Sequence, residues 1–437
     1  MRKLSIFIWG SFFLFLATTV AGQLNNDDLN TALATCQDYL VSAGLENIQI
    51  QLAPNQTFWI AYENRRYRNE VTALGIVLNY AASCFSSARQ FVIVPKYQNI
   101  PLKYLYIDRD HLNQFLHNEI TPAEFMANLK ISFQPNSEPR LTGYGSSNVN
   151  SSLFKFDLAF SPGWKAQFAR PQDPAQLQFN FLADFSLTAA PGMQVNGQFV
   201  VPFYNEFQRQ EGRSRLGQVH INQLLRLPHR AFLSLSAGMF EYDCYGVSTR
   251  IKRFLWHDRF GFSARLDFLQ THSLNRWLPL NSLCRNTLSY LCQADYHFER
   301  IDFRTRITWG RYLLGDVGWR IDVLRKFHEV ELGFMGVWNE SLQFLTGMTV
   351  RIPFPVSKQP TPGRFRLCTP KFLAWDYRYL PCFDGFILNT GEGFEKIADQ
   401  LTSGYIRANI NQIKTAIRYV KLNEPGSNKK LLAERRK

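Results

Sequence analysis

From residue 153 to residue 354 the chain repeats one pattern. Apolar and polar side chains alternate for about ten residues, a break follows, and the alternation resumes. In 153–160, Phe154, Phe156, Leu158 and Phe160 fall on one parity. In 259–268, Phe260, Phe262, Ala264, Leu266 and Phe268 oppose Gly261, Ser263, Arg265 and Asp267. A period of two puts such rows on opposite faces of an extended strand. One such segment suits any half-buried strand. About a dozen in series, each near ten residues, is the pattern of an antiparallel barrel that crosses a membrane. The expected strands are 153–160, 176–188, 194–204, 214–226, 230–241, 243–254, 259–270, 287–298, 301–311, 317–326, 329–338 and 344–354.

The breaks between strands sharpen this expectation. Short turns at Ala190-Pro-Gly, Leu227-Pro-His, Trp256-His-Asp, Glu299-Arg300 and Phe327-His328 alternate with longer links at 161–175, 205–213, 271–286 and 339–343. Short turns at one rim and long loops at the other are the habit of outer-membrane barrels. The apolar parity then faces lipid. The inward parity carries Arg250, Lys252, Arg265, Asp267, Arg304, Arg306, Arg320, Asp322 and Arg351. Such a row attracts anionic or hydroxyl-rich solutes, and Arg304, Arg306 and Arg320, on the inward parity of two adjacent strands, are expected to form one basic patch. The competing reading pairs these cations with lumen acids as a structural network.

Composition agrees with strands of two faces. Apolar residues make up 46% of the 437 residues and aromatics 15%, including 37 Phe, yet mean hydropathy is only −0.21. A disordered chain would lack the aromatics. A bundle of membrane helices would be far more apolar. The start of the chain reads as an address. Arg2 and Lys3 precede an apolar run to Ala17, then Thr-Thr-Val-Ala-Gly22, so residues 1–22 are expected to be a cleaved signal peptide. No later stretch has about 18 consecutive apolar residues. Integral membrane contact must therefore come from strands.

Two further regions flank the barrel segment, 153–355. Residues 23–135 read as a small α+β domain in the order α-ββ-α-ββ-α, with Asp108 capping a short helix, and a polar linker spans 136–152. Acids and bases nearly balance in this domain, so the net charge of +14 arises downstream. Residues 356–437 form a tail. Within it Ile406, Ile410, Ile413, Ile417 and Val420 recur at helical spacing. That amphipathic helix suits a membrane surface, a partner or the N-terminal domain. Seven cysteines in an exported chain leave at least one unpaired; Cys36–Cys84, Cys368–Cys382 and the neighbours Cys284 and Cys292 are possible disulfide pairs.

Several stretches carry a resemblance. Gly310-Arg-Tyr-Leu-Leu-Gly-Asp316, followed by Gly318, resembles the late glycine-arginine-tyrosine-leucine motif of the YjbH/GfcD family of outer-membrane proteins, encoded with exopolysaccharide and capsule machinery. The strand ending Gly238-Met-Phe-Glu241, with Gly246 after it, is similar to an earlier strand of that family. So are Val330–Gly336 and Thr346–Phe354 to its last two strands, and Glu63-Asn-Arg-Arg-Tyr-Arg68 to its periplasmic part. The resemblance singles out Gly310, Arg311, Tyr312, Gly315, Asp316, Gly318 and Glu241. It implies a role in exopolysaccharide or capsule biosynthesis and secretion.

No catalytic constellation stands out. The eight histidines are scattered, and no GxSxG, HExxH, P-loop or zinc spacing occurs. The basic residues alternate on strands rather than cluster, so nucleic acid is not an expected partner. The expectation is an all-β transmembrane β-barrel of about twelve antiparallel strands, after a small α+β periplasmic domain. It has no enzymatic activity, cofactor or metal, and lies in the outer membrane of a Gram-negative bacterium with both ends periplasmic. Its expected partners are outer-membrane lipids, polysaccharide and periplasmic export proteins. A porin-like channel for small solutes is the alternative, and a secreted adhesive β-protein a weaker one.

Overall fold

The computed structural model describes residues 26–416 apart from 54–55, 86, 136–147, 169–174, 207–211, 242–243, 256–258, 272–286, 314, 341–343, 379–386, 388 and 391–392. The expected signal peptide, Cys284, Cys382, Ile417 and Val420 lie outside the described residues.

The N-terminal unit is α+β. Helix α1 (Asn26–Ser42) leads into strands β1 (Glu46–Ala53) and β2 (Thr57–Glu63). Helix α2 (Glu70–Cys84) then crosses over to β3 (Gln90–Tyr97), which lies parallel to β2. A two-residue β4 (Ile100–Pro101), β5 (Tyr104–Asp108), helices α3 (Arg109–Leu116) and α4 (Pro122–Asn128), and β6 (Lys130–Ser132) complete it. The sheet order is β1-β2-β3-β5-β6, with β4 on β3. Asp108 caps α3 as expected, accepting from the Asp110 and His111 amides. Strand β4, helix α4 and strand β6 exceed the expected order; a Thr121–Glu124 capping box starts α4. Helix α2 is apolar on nearly every side, and Val71, Leu74, Ile76, Val77 and Leu78 are all buried. A helix with no polar face must be covered on both sides. Here the sheet covers one and the C-terminal segment the other, where Ile413 and Ala416 pack over Gly75.

The second unit is one large sheet. All twelve expected strands form, in sequence order and antiparallel. They are β7 (Phe156–Phe168), β8 (Ala175–Ala190), β9 (Met193–Asn205), β10 (Arg215–Leu227), β11 (Ala231–Met239), β12 (Cys244–Leu255), β13 (Phe260–Thr271), β14 (Thr287–Phe298), β15 (Phe303–Arg311), β16 (Val317–Phe327), β17 (Val330–Asn339) and β18 (Phe344–Pro353). The link expected at 161–175 is largely strand, because β7 runs on to Phe168. The parities fall as expected. In β13, Phe262, Leu266 and Phe268 are exposed while Ser263 and Asp267 are buried.

The strand count differs from the expected twelve, and the sheet does not end at 355. Residues assigned to the tail supply β19 (Phe365–Cys368) and β20 (Phe372–Arg378). Strand β19 lies parallel to β7 and β20 antiparallel to β18, giving fourteen strands in the order β19-β7 through β18-β20. The two outer strands are consecutive in the chain. No ladder joins them, so the described sheet is not a hydrogen-bonded ring. Its ends do approach: the rings of Trp164 (β7) and Trp375 (β20) meet edge to face at 6.2 Å. Strands β19 and β20 have only four and seven residues, shorter than the alternating runs near ten residues that mark the other strands in the sequence.

The N-terminal unit stands on the short-turn rim of the sheet. In the β8–β9 turn, Gly192 donates its N–H to the Gln98 carbonyl at 2.7 Å. Gly192 has φ +74°, and a Cβ there would lie 2.1 Å from the Leu224 oxygen, so the position requires glycine. Arg226 of β10 donates to the carbonyls of Pro101 and Phe133. The Glu63–Arg68 segment reaches both ends of the sheet. Arg65 and Arg366 (β19) converge on Asp157 of β7, at 2.6 and 2.5 Å. Arg68 pairs with Glu329 in the β16–β17 turn and donates to the Phe354 carbonyl. The expected linker is also partly fixed: Val149 bridges to Ile48, and the Asn47 side chain donates to Ser152.

None of the three possible disulfide pairs forms; Cys292, on β14, is also a free thiol. Cys36 and Cys84 are thiols in side-chain hydrogen-bond contact between α1 and the end of α2. Cys368 is a free thiol on β19, while Cys244 is disulfide-bonded. Among the described helices none is long and apolar enough to cross a membrane.

Candidate functional site

Strand register decides which inward charges meet. Arg306 lies directly opposite Asp295 on β14 and Asp322 on β16, so these three share one level of the inner face. Gly261 sits opposite Asp295 on the other side, and its missing side chain leaves the carboxylate room. Lys252 of β12 spans that space to pair with Asp295 at 2.8 Å. Lys252 is only 2% exposed, deep burial for an ammonium that needs this partner.

The C-terminal segment then enters this face. Helix α5 (Phe394–Gln400) carries Glu395 and Asp399, one turn apart and so on one side of the helix. Glu395 pairs with Arg250 at 2.6 Å, Lys252 at 3.2 Å and Arg306 at 3.4 Å. Arg304 grips Asp399 with both terminal nitrogens, at 2.5 and 2.6 Å, and Lys326 stands 3.9 Å away. The forked Arg304 contact is the strongest geometry available to such a pair. Burial alone would push both carboxyls up. The charges of Arg250, Lys252 and Arg306 outweigh it at Glu395 and hold that carboxyl at about 2. Arg304 and Lys326 likewise hold Asp399 well below the usual carboxylate range.

Apolar contacts anchor the helix at both ends. Phe394 stacks on Phe232 of β11 at 5.1 Å and joins Ala398, Leu102, Phe133 and Phe254 in a cluster between the two units. Beyond it, α6 (Ser403–Ala408) and residues 411–416 place Tyr405, Ile406, Ile410 and Ile413 in the core of the N-terminal unit. Three of the five residues that suggested an amphipathic helix are thus accounted for: they pack on the N-terminal unit. Ser403 also donates to Glu299 in the β14–β15 turn at 2.6 Å.

The candidate residues divide into two kinds. Arg250, Arg304 and Arg306 converge around α5. Arg265 and Arg320 do not join them; each holds the acid two residues on along its own strand, Asp267 at 2.8 Å and Asp322 at 2.7 Å. The Arg304–Arg306–Arg320 patch expected from parity is therefore split. Residues i and i+2 of a strand share a face, so such pairs are local and readable from sequence. Asp295, Lys326, Glu395 and Asp399 were missed. Asp295 and Lys326 have the inward parity and could have been found by extending it. Nothing local in Glu395 or Asp399 signals a partner far back in the chain.

The motif residues sit at the opposite rim. Gly310 pairs across strands with Gly318, and Gly238 with Gly246. Gly310 has φ +152°, and a Cβ there would lie 2.0 Å from the Tyr290 oxygen. After each first glycine comes a fully buried aromatic, Tyr312 or Phe240. Tyr312 closes the β15–β16 connection, accepting at its carbonyl from Gly315 and donating its N–H to Asp316. Arg311 ends β15, and Glu241 follows Phe240. Both motifs thus share one arrangement, a cross-strand glycine pair followed two residues on by a buried aromatic. Among the described residues no group of three or more His, Cys, Asp or Glu could hold a metal ion.

A protein-family model, YjbH, described as exopolysaccharide biosynthesis protein YbjH, matches residues 16–356. No curated protein and no solved structure matches the chain.

Proposed function

The chain belongs to the YjbH family of exopolysaccharide biosynthesis proteins, and from that premise we propose that it is a non-enzymatic outer-membrane component of exopolysaccharide or capsule secretion. The observation that carries this reading is the outward face of the large sheet. Phe181, Phe268, Trp319, Phe334 and Trp338 are exposed there, while charged side chains fill the inner face. A water-soluble sheet of this size would bury such a band, and lipid makes burial unnecessary. In this reading the strand pair β19–β20 draws the sheet ends together as a barrel. The N-terminal unit and the C-terminal helices, both on the short-turn rim, are periplasmic and available to export proteins. A general porin needs neither element, and α5 stands where its channel would run.

Fractionation of cells expressing the chain tests location. It should sediment with the outer membrane and show heat-modifiable gel mobility, and loss of the protein should lower surface polysaccharide. An epitope inserted after Glu340 should be reached on intact cells and one after Asn118 should not. Recovery in the soluble fraction, or the opposite labelling, overturns the reading.

A further inference from the structure

Five cations, Arg250, Lys252, Arg304, Arg306 and Lys326, face three carboxylates, and two of the three arrive on α5. Without that helix only Asp295 would remain among those partners. The wall of the sheet is thus built as an anion site, and the chain supplies its own anions. The two carboxylates are about 6 Å apart along the helix axis, a spacing set by the backbone rather than by the sheet.

The helix is short for an element in this position. It has only seven residues, Gly393 at its N-cap offers no side-chain capping bond, and its own apolar hold is Phe394 and Ala398 with Ile397 beside them. A helix this short exists only through its tertiary contacts. Buried ion pairs contribute little net stability, because the attraction is offset by lost hydration. Exchanging one set of carboxylates for another therefore costs little, whereas leaving the cations bare costs much. The occupant is replaceable by an anion of the same class and by little else.

We propose that this cluster is a binding site for an acidic, carboxylate-bearing polysaccharide, and that α5 occupies it as a stand-in which the polymer displaces. The proposal rests on the secretion reading above for its choice of polymer. Glu395 and Asp399 are the mimics, and Arg250, Lys252, Arg304, Arg306 and Lys326 are the binding residues. The neighbouring Arg265–Asp267 and Arg320–Asp322 pairs are satisfied on their own strands and take no part. Neutral glucans lack the charge to compete with α5 and do not bind there.

The test uses the purified full chain in detergent micelles, with polygalacturonate as probe and dextran of similar length as the neutral control. Heat-modifiable mobility reports folding. The double variant Glu395→Gln, Asp399→Asn should bind polygalacturonate at least about tenfold more tightly than the unaltered chain. The gain should fall with salt and vanish when Arg304→Gln and Arg306→Gln are added. Glu395→Gln alone leaves Asp399 on Arg304 and covers the case in which the double variant does not fold; it should gain about threefold. Unchanged affinity in a folded variant, or an equal gain for dextran, overturns the proposal. Such a result would leave the secretion reading standing, since fractionation and polysaccharide output are measured separately.

Discussion

The two units of this molecule bury opposite things. In the N-terminal unit the interior is apolar: Ile60, Leu74 and Phe91 are fully enclosed. In the large sheet the enclosed face holds Lys252, Asp267 and Asp322, while Phe334 is 61% and Trp338 58% exposed. Apolar side chains therefore end inside one unit and on the outer face of the other. The difference is what the proposed function requires, two units built for different surroundings. Water drives apolar groups inward in the first. The second gains nothing from that drive unless its outer face meets an apolar medium.

The largest test of the contrast is to remove a ring from each unit. Phe91→Ala should cost about 3–5 kcal/mol, the usual price of an aromatic-sized cavity, seen as a lower urea midpoint for the N-terminal unit. Phe268→Ala, on the outer row, should leave the midpoint in lipid vesicles nearly unchanged. Equal losses would mean that both rings are buried in the same sense.

Acid should undo the meeting of the units at α5. Glu395 and Asp399 have carboxyls depressed in the folded state, so the stability they lend is complete above the unfolded value near 4 and is lost as pH falls toward about 2. Each unit of depression is worth about 1.4 kcal/mol between the ionised and the protonated state, or roughly 3 kcal/mol lost on protonating Glu395, whatever the pair's small net contribution. Hydrogen exchange at 394–400, followed from pH 6 to pH 2.5 and normalised to unfolded chain, should show protection falling below about pH 4. Glu395→Gln should flatten that fall. A flat profile in the unaltered chain would show that the apolar anchors alone hold the helix.

A finer test asks what the outer face touches. Phe334→Arg should cost roughly 2–3 kcal/mol in lipid vesicles, while Phe334→Ala should cost only about 0.5 kcal/mol. If the outer face met water, the arginine would be the milder change of the two.

Much of this was legible beforehand. The twelve strands from β7 to β18 and their parities follow from period two, a rule that depends only on neighbouring residues. The α+β unit was legible for the same reason, through caps and helical spacing such as Asp108 and the run in α2. The site was legible in part. Arg250, Arg304 and Arg306 could be assigned to the inner face, but not to a common partner, and Arg320 was grouped with them although Asp322 holds it.

The sequence by itself determined the twelve strands from β7 to β18, which face their side chains take and which of their charges are turned inward, because these are properties of a chain with its near neighbours. Only the tertiary structure decided that β19 and β20 bring together the two ends of the sheet, and that Glu395 and Asp399 fill the basic inner face. Those contacts join residues up to about two hundred positions apart. Coulomb attraction depends on distance in space, and no local pattern encodes which distant carboxylate the fold will carry to which arginine.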